Sequence, residues 1–79
     1  MSGSKLPVVR SRELMRALKR AGFQQIRQTG SHVMLECTSN GRTAVVPSHA
    51  GDVKSGTLRS VLKQSGLSSD DLRRLLRKR

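Results

Sequence analysis

The sequence predicts an α+β fold, with one helix, then three antiparallel strands, then two more helices. Three observations predict it. Apolar residues recur at helical spacing in three separate stretches. Between the first and second stretches, two turn signals divide short segments, and the clearest of these alternates polar and apolar residues. Glycines stand where the first two helices must end. A three-stranded sheet is stable only with one face covered, so the first two helices are expected on one face, leaving the other open.

The first helix is expected over Arg12 to Ala21. Ser11 suits the N-cap, and Glu13 falls in the first turn. Leu14, Ala17, Leu18 and Ala21 form its apolar face, and Gly22 supplies the left-handed stop. Arg12, Arg16, Lys19 and Arg20 lie mostly off that face.

Gln24 to Thr29 is the first strand, with Ile26 as its apolar point. Gly30-Ser31 makes a turn, and His32 to Thr38 follows. In that second strand Val33, Leu35 and Cys37 share the core face. His32, Met34 and Glu36 take the other. Ser39-Asn40-Gly41 carries the Asn-Gly pair of hairpin turns, and Arg42 to Val46 is the third strand, ended by Pro47.

Ser48 to Lys54 is a loop. The second helix runs from Gly56 or Thr57 to Ser65, with Leu58, Val61 and Leu62 inward and Gly66 as its stop. Ser68 opens a short third helix, and with Asp71 it fits the acidic form of the capping box. Leu72, Leu75 and Leu76 are that helix's apolar side. Arg77-Lys78-Arg79 places cations at its negative end.

Composition narrows the function. The 79 residues fit a single domain over residues 11–79, preceded by a flexible lead-in of residues 1–10. Such a chain holds a marginal core of about 3–5 kcal/mol. A single cysteine makes neither an internal disulfide nor a cysteine-based zinc site. The two histidines match no zinc spacing, so no metal and no cofactor is expected. No apolar stretch approaches the roughly 20 residues that span a membrane, and the N-terminus lacks a signal-peptide core. The expected location is the cytoplasm, without membrane contact. Sixteen Lys and Arg against five Asp and Glu leave a formal charge of +11. That excess favours a polyanionic partner, but charge alone does not separate RNA from DNA.

The residues then show a family resemblance. Its markers are Leu18-Lys19-Arg20-Ala21-Gly22-Phe23, Arg27-Gln28-Thr29-Gly30-Ser31-His32, Val45-Val46-Pro47-Ser48-His49, Lys54-Ser55-Gly56-Thr57-Leu58-Arg59-Ser60-Val61-Leu62 and Gln64-Ser65-Gly66-Leu67. In this order, from about Ser11 to Leu76, the chain resembles the HicA toxins, small mRNA interferases of prokaryotic type II toxin–antitoxin systems. The resemblance implies a fold similar to the double-stranded-RNA-binding domain, α-β-β-β-α, with a short C-terminal helix added here. It implies an endoribonuclease acting on mRNA and a HicB-type antitoxin as protein partner. DNA would be met only through the antitoxin complex. It also implies that His32 is the catalytic histidine. Asp52 and Ser55 depart from the residues common in relatives, and both lie beside the start of the second helix.

The chemistry suits the residue types. RNA carries its own nucleophile, the 2′-OH, so a histidine with an ordinary pKa of about 6.5 can supply proton transfer without a metal. His49 is the candidate for a second proton function. For phosphate binding, Lys54, Ser55 and Thr57 stand at a helix start, where free N–H groups attract anions. By resemblance Arg59 and Lys63 extend that patch, with Arg27 and Arg42 as lesser candidates. Phe23 reads as core, so base stacking on aromatic side chains is not expected. The alternative reading is a non-catalytic RNA-binding module of the same fold. An operator-binding protein ranks last, because no helix-turn-helix pattern is present.

Overall fold

The computed structural model describes residues 6–49 and 51–77. The element order is α1 (Ser11–Arg20), β1 (Phe23–Thr29), β2 (His32–Cys37), β3 (Thr43–Pro47), α2 (Ser55–Ser65) and α3 (Ser69–Arg77). This is the expected α+β architecture. The sheet has the order β1-β2-β3, with both neighbouring pairs antiparallel.

The core lies between the sheet and the helices. Leu14, Ala17 and Leu18 of α1 and Leu58, Val61 and Leu62 of α2 are buried with Val33, Leu35 and Cys37 of β2 and Ala44 and Val46 of β3. The alternation in β2 is as the sequence predicts: those three residues are buried, while His32 is exposed on the other side. Leu72 of α3 is fully buried in the same cluster, with Leu75 and Leu76 half-buried beside it. Gly22 and Gly66 end α1 and α2 at positive φ, +102° and +77°.

Several expectations need correction. Ser11 is not the N-cap of α1. Leu14 N–H already donates to the Arg10 carbonyl at 2.9 Å, so Arg10 takes the cap position and Ser11 becomes the first helical residue. Ile26 is not a core residue; it is 51% exposed and is the extra residue of a β-bulge between Gln25 and Arg27. Pro47 does not stop β3 but is its last residue, paired with His32. It is tolerated there because β3 is an edge strand. The Asn40-Gly41 pair lies in a five-residue connection between β2 and β3, residues 38–42. Gly41 donates to the Cys37 carbonyl at 2.8 Å and Asn40 Oδ1 accepts from Arg42 N–H. In the expected lead-in, Met1 to Lys5 lie outside the described residues, as do Ala50, Lys78 and Arg79. The remainder of that lead-in is packed: Val9 is 1% exposed and Leu6 rests on the core.

Val9 is held by a backbone clasp. Arg10 and Asp52 form an antiparallel bridge, Val53 N–H donates to the Val9 carbonyl at 2.8 Å, and Ser11 N–H reaches the Gly51 carbonyl at 3.4 Å. The β3–α2 connection is thereby stitched to the chain entering α1.

The capping box of α3 forms as expected. Ser68 N–H donates to Asp71 Oδ2 and Asp71 N–H donates to Ser68 Oγ, both at 3.0 Å. The Ser68 amide, then its side chain, hold the Asp71 carboxyl below its ordinary pKa. A depressed carboxyl stabilises the fold above its unfolded pKa and loses that contribution as pH falls through the lowered value. Ser68→Ala should therefore cost about 1 kcal/mol at neutral pH, read as a lower melting temperature. Asp71→Asn should flatten the acid limb of the melting-temperature profile. An unchanged acid limb would show that the box contributes nothing.

Candidate functional site

The clasp gathers four chain segments at one end of the domain. α1 and α2 both begin there, because Ser11 is tied to Gly51 and Val9 to Val53, one residue before the α2 cap Lys54. β3 ends there and β2 begins there, with Pro47 opposite His32. The Ser48 N–H donates to the Ser31 carbonyl, which fastens the β3–α2 loop to the β1–β2 turn. Two helix N-termini, each with a partial positive charge, thus share an end with His32.

His32 owes its position to the hairpin and to the bulge. Gly30 has φ +55° and no other residue of that turn has positive φ, the pattern of a two-residue turn with glycine first. Thr29 and Pro47 flank His32 across the two ladders. Cross-strand partners share a face, so Arg27, opposite Met34, lies on the His32 face. Simple alternation from Phe23 would have put Arg27 and Thr29 on the core side. The extra residue Ile26 shifts the phase and turns both outward.

A groove of about 630 Å³ opens beside this end, between the first turn of α1 and the β3–α2 loop. Arg10, Ser11, Arg12, Glu13 and Arg16 line the α1 side, and Ser48, His49 and Gly51 the loop side. Ser11 is 2% exposed and its hydroxyl has no hydrogen-bond partner. Leaving a buried hydroxyl unpaired costs about 1–3 kcal/mol. Glu13 Oε1 accepts from the Arg10 N–H at 3.0 Å. The Arg10 side chain has no acceptor, so it cannot cap the amides of the first turn. Among the sequence-derived candidates only His49 lines this groove. The arginines of α1 read in the sequence merely as a solvated helix side, and Ser11 as a cap; nothing local in the sequence marks the groove.

Lys54, Ser55 and Thr57 sit at the start of α2 as expected. No side chain caps that N-terminus and its first turn holds no acidic residue. Arg59 and Lys63, four residues apart, are both exposed on one helical side. Arg42 is not with the others. It lies at the opposite end of the sheet, packed on the C-terminus of α2: a Cβ on Gly66 would stand 2.9 Å from its Nε. β2 spans about 20 Å between the two ends. Cys37 is buried, and the Ser39 hydroxyl 3.3 Å from its sulfur, then the Ser39 amide, lower its pKa against the opposing effect of burial. Among the described residues no group of three or more His, Cys, Asp or Glu is placed to hold a metal ion, and no helix is long and apolar enough to cross a membrane.

A family model described as the HicA toxin of bacterial toxin–antitoxin systems matches residues 11–67. The chain belongs to the HicA toxin family. It is therefore the toxin partner of a toxin–antitoxin pair, and an antitoxin is its protein partner. No curated protein sequence matches the chain. The HicA match begins at the buried Ser11 and takes in β1, β2, β3 and α2, but stops at Leu67, before α3. α3 adds to the HicA core by its own means: Leu72 is buried, and Arg20 donates to the Leu75 carbonyl at 2.7 Å.

The placement of Arg42 over a helix C-terminus gives it a structural task, since cations there are stabilising by about 0.3–1 kcal/mol. Arg42→Gln should lower the melting temperature by that equivalent, with the effect shrinking in high salt. A melting temperature unchanged at low salt would contradict this.

Proposed function

We propose that this HicA toxin is a metal-independent endoribonuclease that cleaves mRNA, with His32 as its proton-transfer group and a HicB-type antitoxin as its inhibitor. One observation carries the reading: His32 is an exposed side chain on the open face of the sheet, at the end to which both helix N-termini point. An anionic strand is drawn to that end by the helix ends and the net charge of +11. There it meets the His32 imidazole, a group able to serve as general acid or base.

In the reaction, the ribose 2′-oxygen attacks the adjacent phosphorus and loses its proton. The P–O5′ bond breaks and the leaving 5′-oxygen takes up a proton. The products are a 2′,3′-cyclic phosphate and a 5′-OH end. His32 carries one of these proton transfers. His49, across the Ser31–Ser48 bond from the His32 turn, is the candidate for the other. Lys54, Ser55 and Thr57 hold phosphate at the start of α2, Arg59 and Lys63 extend the track along that helix, and Arg27 lies on the His32 face. An RNA touching Arg42 as well would have to run the whole length of the sheet.

The test is induced expression of the wild type and His32→Ala, following growth and mRNA integrity. The exposed position of His32 means that the variant should keep its melting temperature and its RNA affinity. Cleavage should fall by about 10²–10⁴-fold, the usual share of a general acid or base. Equal growth arrest by both proteins, 5′-phosphate product ends, or activity abolished by chelators would reject the mechanism. A wild type that binds RNA without cutting it would favour the non-catalytic module. His49→Ala with wild-type cleavage would remove His49 from the chemistry.

A further inference from the structure

The groove at the start of α1 is not used by the mechanism above, apart from His49 on its rim. Three features of it point to an anion. The first is the helix end itself: α1 has ten residues, and the amides of Arg12 and Glu13 have no intrahelical partner. The second is the charge of the walls, where the guanidinium side chains of Arg10, Arg12 and Arg16 outnumber the single carboxylate. The carboxylate, Glu13, is already engaged by the Arg10 amide. The third is independent of both. Ser11 is a lining residue of this groove, it is only 2% exposed, and its hydroxyl has no hydrogen-bond partner. Buried hydroxyls are nearly always paired, and an orphan in the wall of a cationic groove is a donor without its acceptor.

We propose that this groove is a second phosphate subsite, which takes a backbone phosphodiester of the RNA one or more nucleotides away from the bond at His32. Ser11 Oγ and the first-turn amides donate to the phosphate oxygens, and Arg12 and Arg16 neutralise the charge. The ligand is RNA rather than an acidic segment of the antitoxin because the groove is continuous with the His32 end: Ser48 and His49 form its far wall, and Ser48 is bonded to the residue before His32. A strand cleaved at His32 passes this opening. The subsite rests on the RNA reading of the function and deepens it, by assigning the approach path of the substrate to α1 as well as α2.

The experiment uses the full chain carrying His32→Ala, so that RNA stays intact. Affinity for a short unstructured oligoribonucleotide is measured across a salt series, beside variants with Ser11→Ala or with Arg12→Gln and Arg16→Gln together. The arginine pair should weaken binding at low salt and reduce the salt slope by about 0.7, since the two arginines share one phosphate and each single-strand phosphate contact contributes about 0.7. Ser11→Ala should weaken binding by about tenfold, the value of a hydrogen bond to a charged group. It should also leave the melting temperature unchanged or higher, because it removes an unpaired buried hydroxyl. A purely structural Ser11 would change stability without changing affinity. Unchanged affinity and salt slope in both variants overturn the proposal. Weakened antitoxin binding with unchanged RNA binding also overturns it and assigns the groove to the antitoxin. If the parent protein binds no RNA at all, the functional reading fails, and titration with inorganic phosphate then decides the subsite. Amide shifts at Arg12 and Glu13 that vanish in Ser11→Ala retain an anion site; their absence overturns it.

Discussion

The backbone clasp between Val9–Ser11 and Gly51–Val53 is the constraint on which the arrangement of this molecule depends. It consists of main-chain hydrogen bonds between segments some forty positions apart, with Val9 and Val53 buried behind it. Chain connectivity points both helices the same way, since α1 ends just before Phe23, whose partner Cys37 lies at the end of the sheet away from His32, and α2 runs back along β3. The clasp fastens the two N-termini together at the His32 end, where their dipoles add rather than cancel. The clasp also forms one edge of the groove, since Gly51 lines it and Ser11 is one of the clasped residues. One short strand-like contact thus sets both the electrostatics of the site and the shape beside it.

The second constraint is the bulge at Ile26. β1 is the unprotected edge of the sheet, exposed everywhere except Phe23, whereas β3 is covered by Gln64, which accepts the Val45 N–H at 3.0 Å. A long flat edge invites pairing with another chain, and a bulge twists it away. The same inserted residue sets the phase that brings Arg27 and Thr29 round to the His32 face. A feature that protects the edge therefore also composes the open face.

Much of this was readable in the sequence, and the parts that were not share a cause. The alternation through β2 placed His32 opposite Val33, Leu35 and Cys37, because strand periodicity is local. Helix ends at Gly22 and Gly66 were legible because positive φ selects glycine. Ser11, Ile26 and Val9 were misread, and the place of Arg42 was not legible, because each is decided by a distant partner. Ser11 is drawn inside by a helix that starts at the clasp. Ile26 is displaced by the register of β2, Arg42 is claimed by the end of α2, and Val9 is covered by Val53. Local propensity contains none of these contacts, since all of them depend on the closed fold. The family match fixes what kind of protein this is, yet it says nothing of the orphaned hydroxyl, which only the folded arrangement exposes.

The charge gives these pieces a common logic. A core of this size stabilises by only about 3–5 kcal/mol, and a net charge of +11 works against it through self-repulsion. The side-chain ion pairs Asp70–Arg73 and Asp71–Arg74 both lie on the surface of α3, far in sequence from the cationic end. Such pairs contribute little. The positive charge near His32 is therefore left largely uncompensated within the chain itself, where two helix ends already add to it. Evolution could have relieved that repulsion with a carboxylate in the first turn of α2, as Glu13 does for α1, but that turn has none. The repulsion is the cost of keeping a field at the site. Any bound polyanion or acidic partner lowers it, so the free toxin is the form in which the charge is least satisfied. Salt then has opposite effects on the two states: it screens the repulsion that weakens the free fold, and it weakens the attraction that brings a polyanion in.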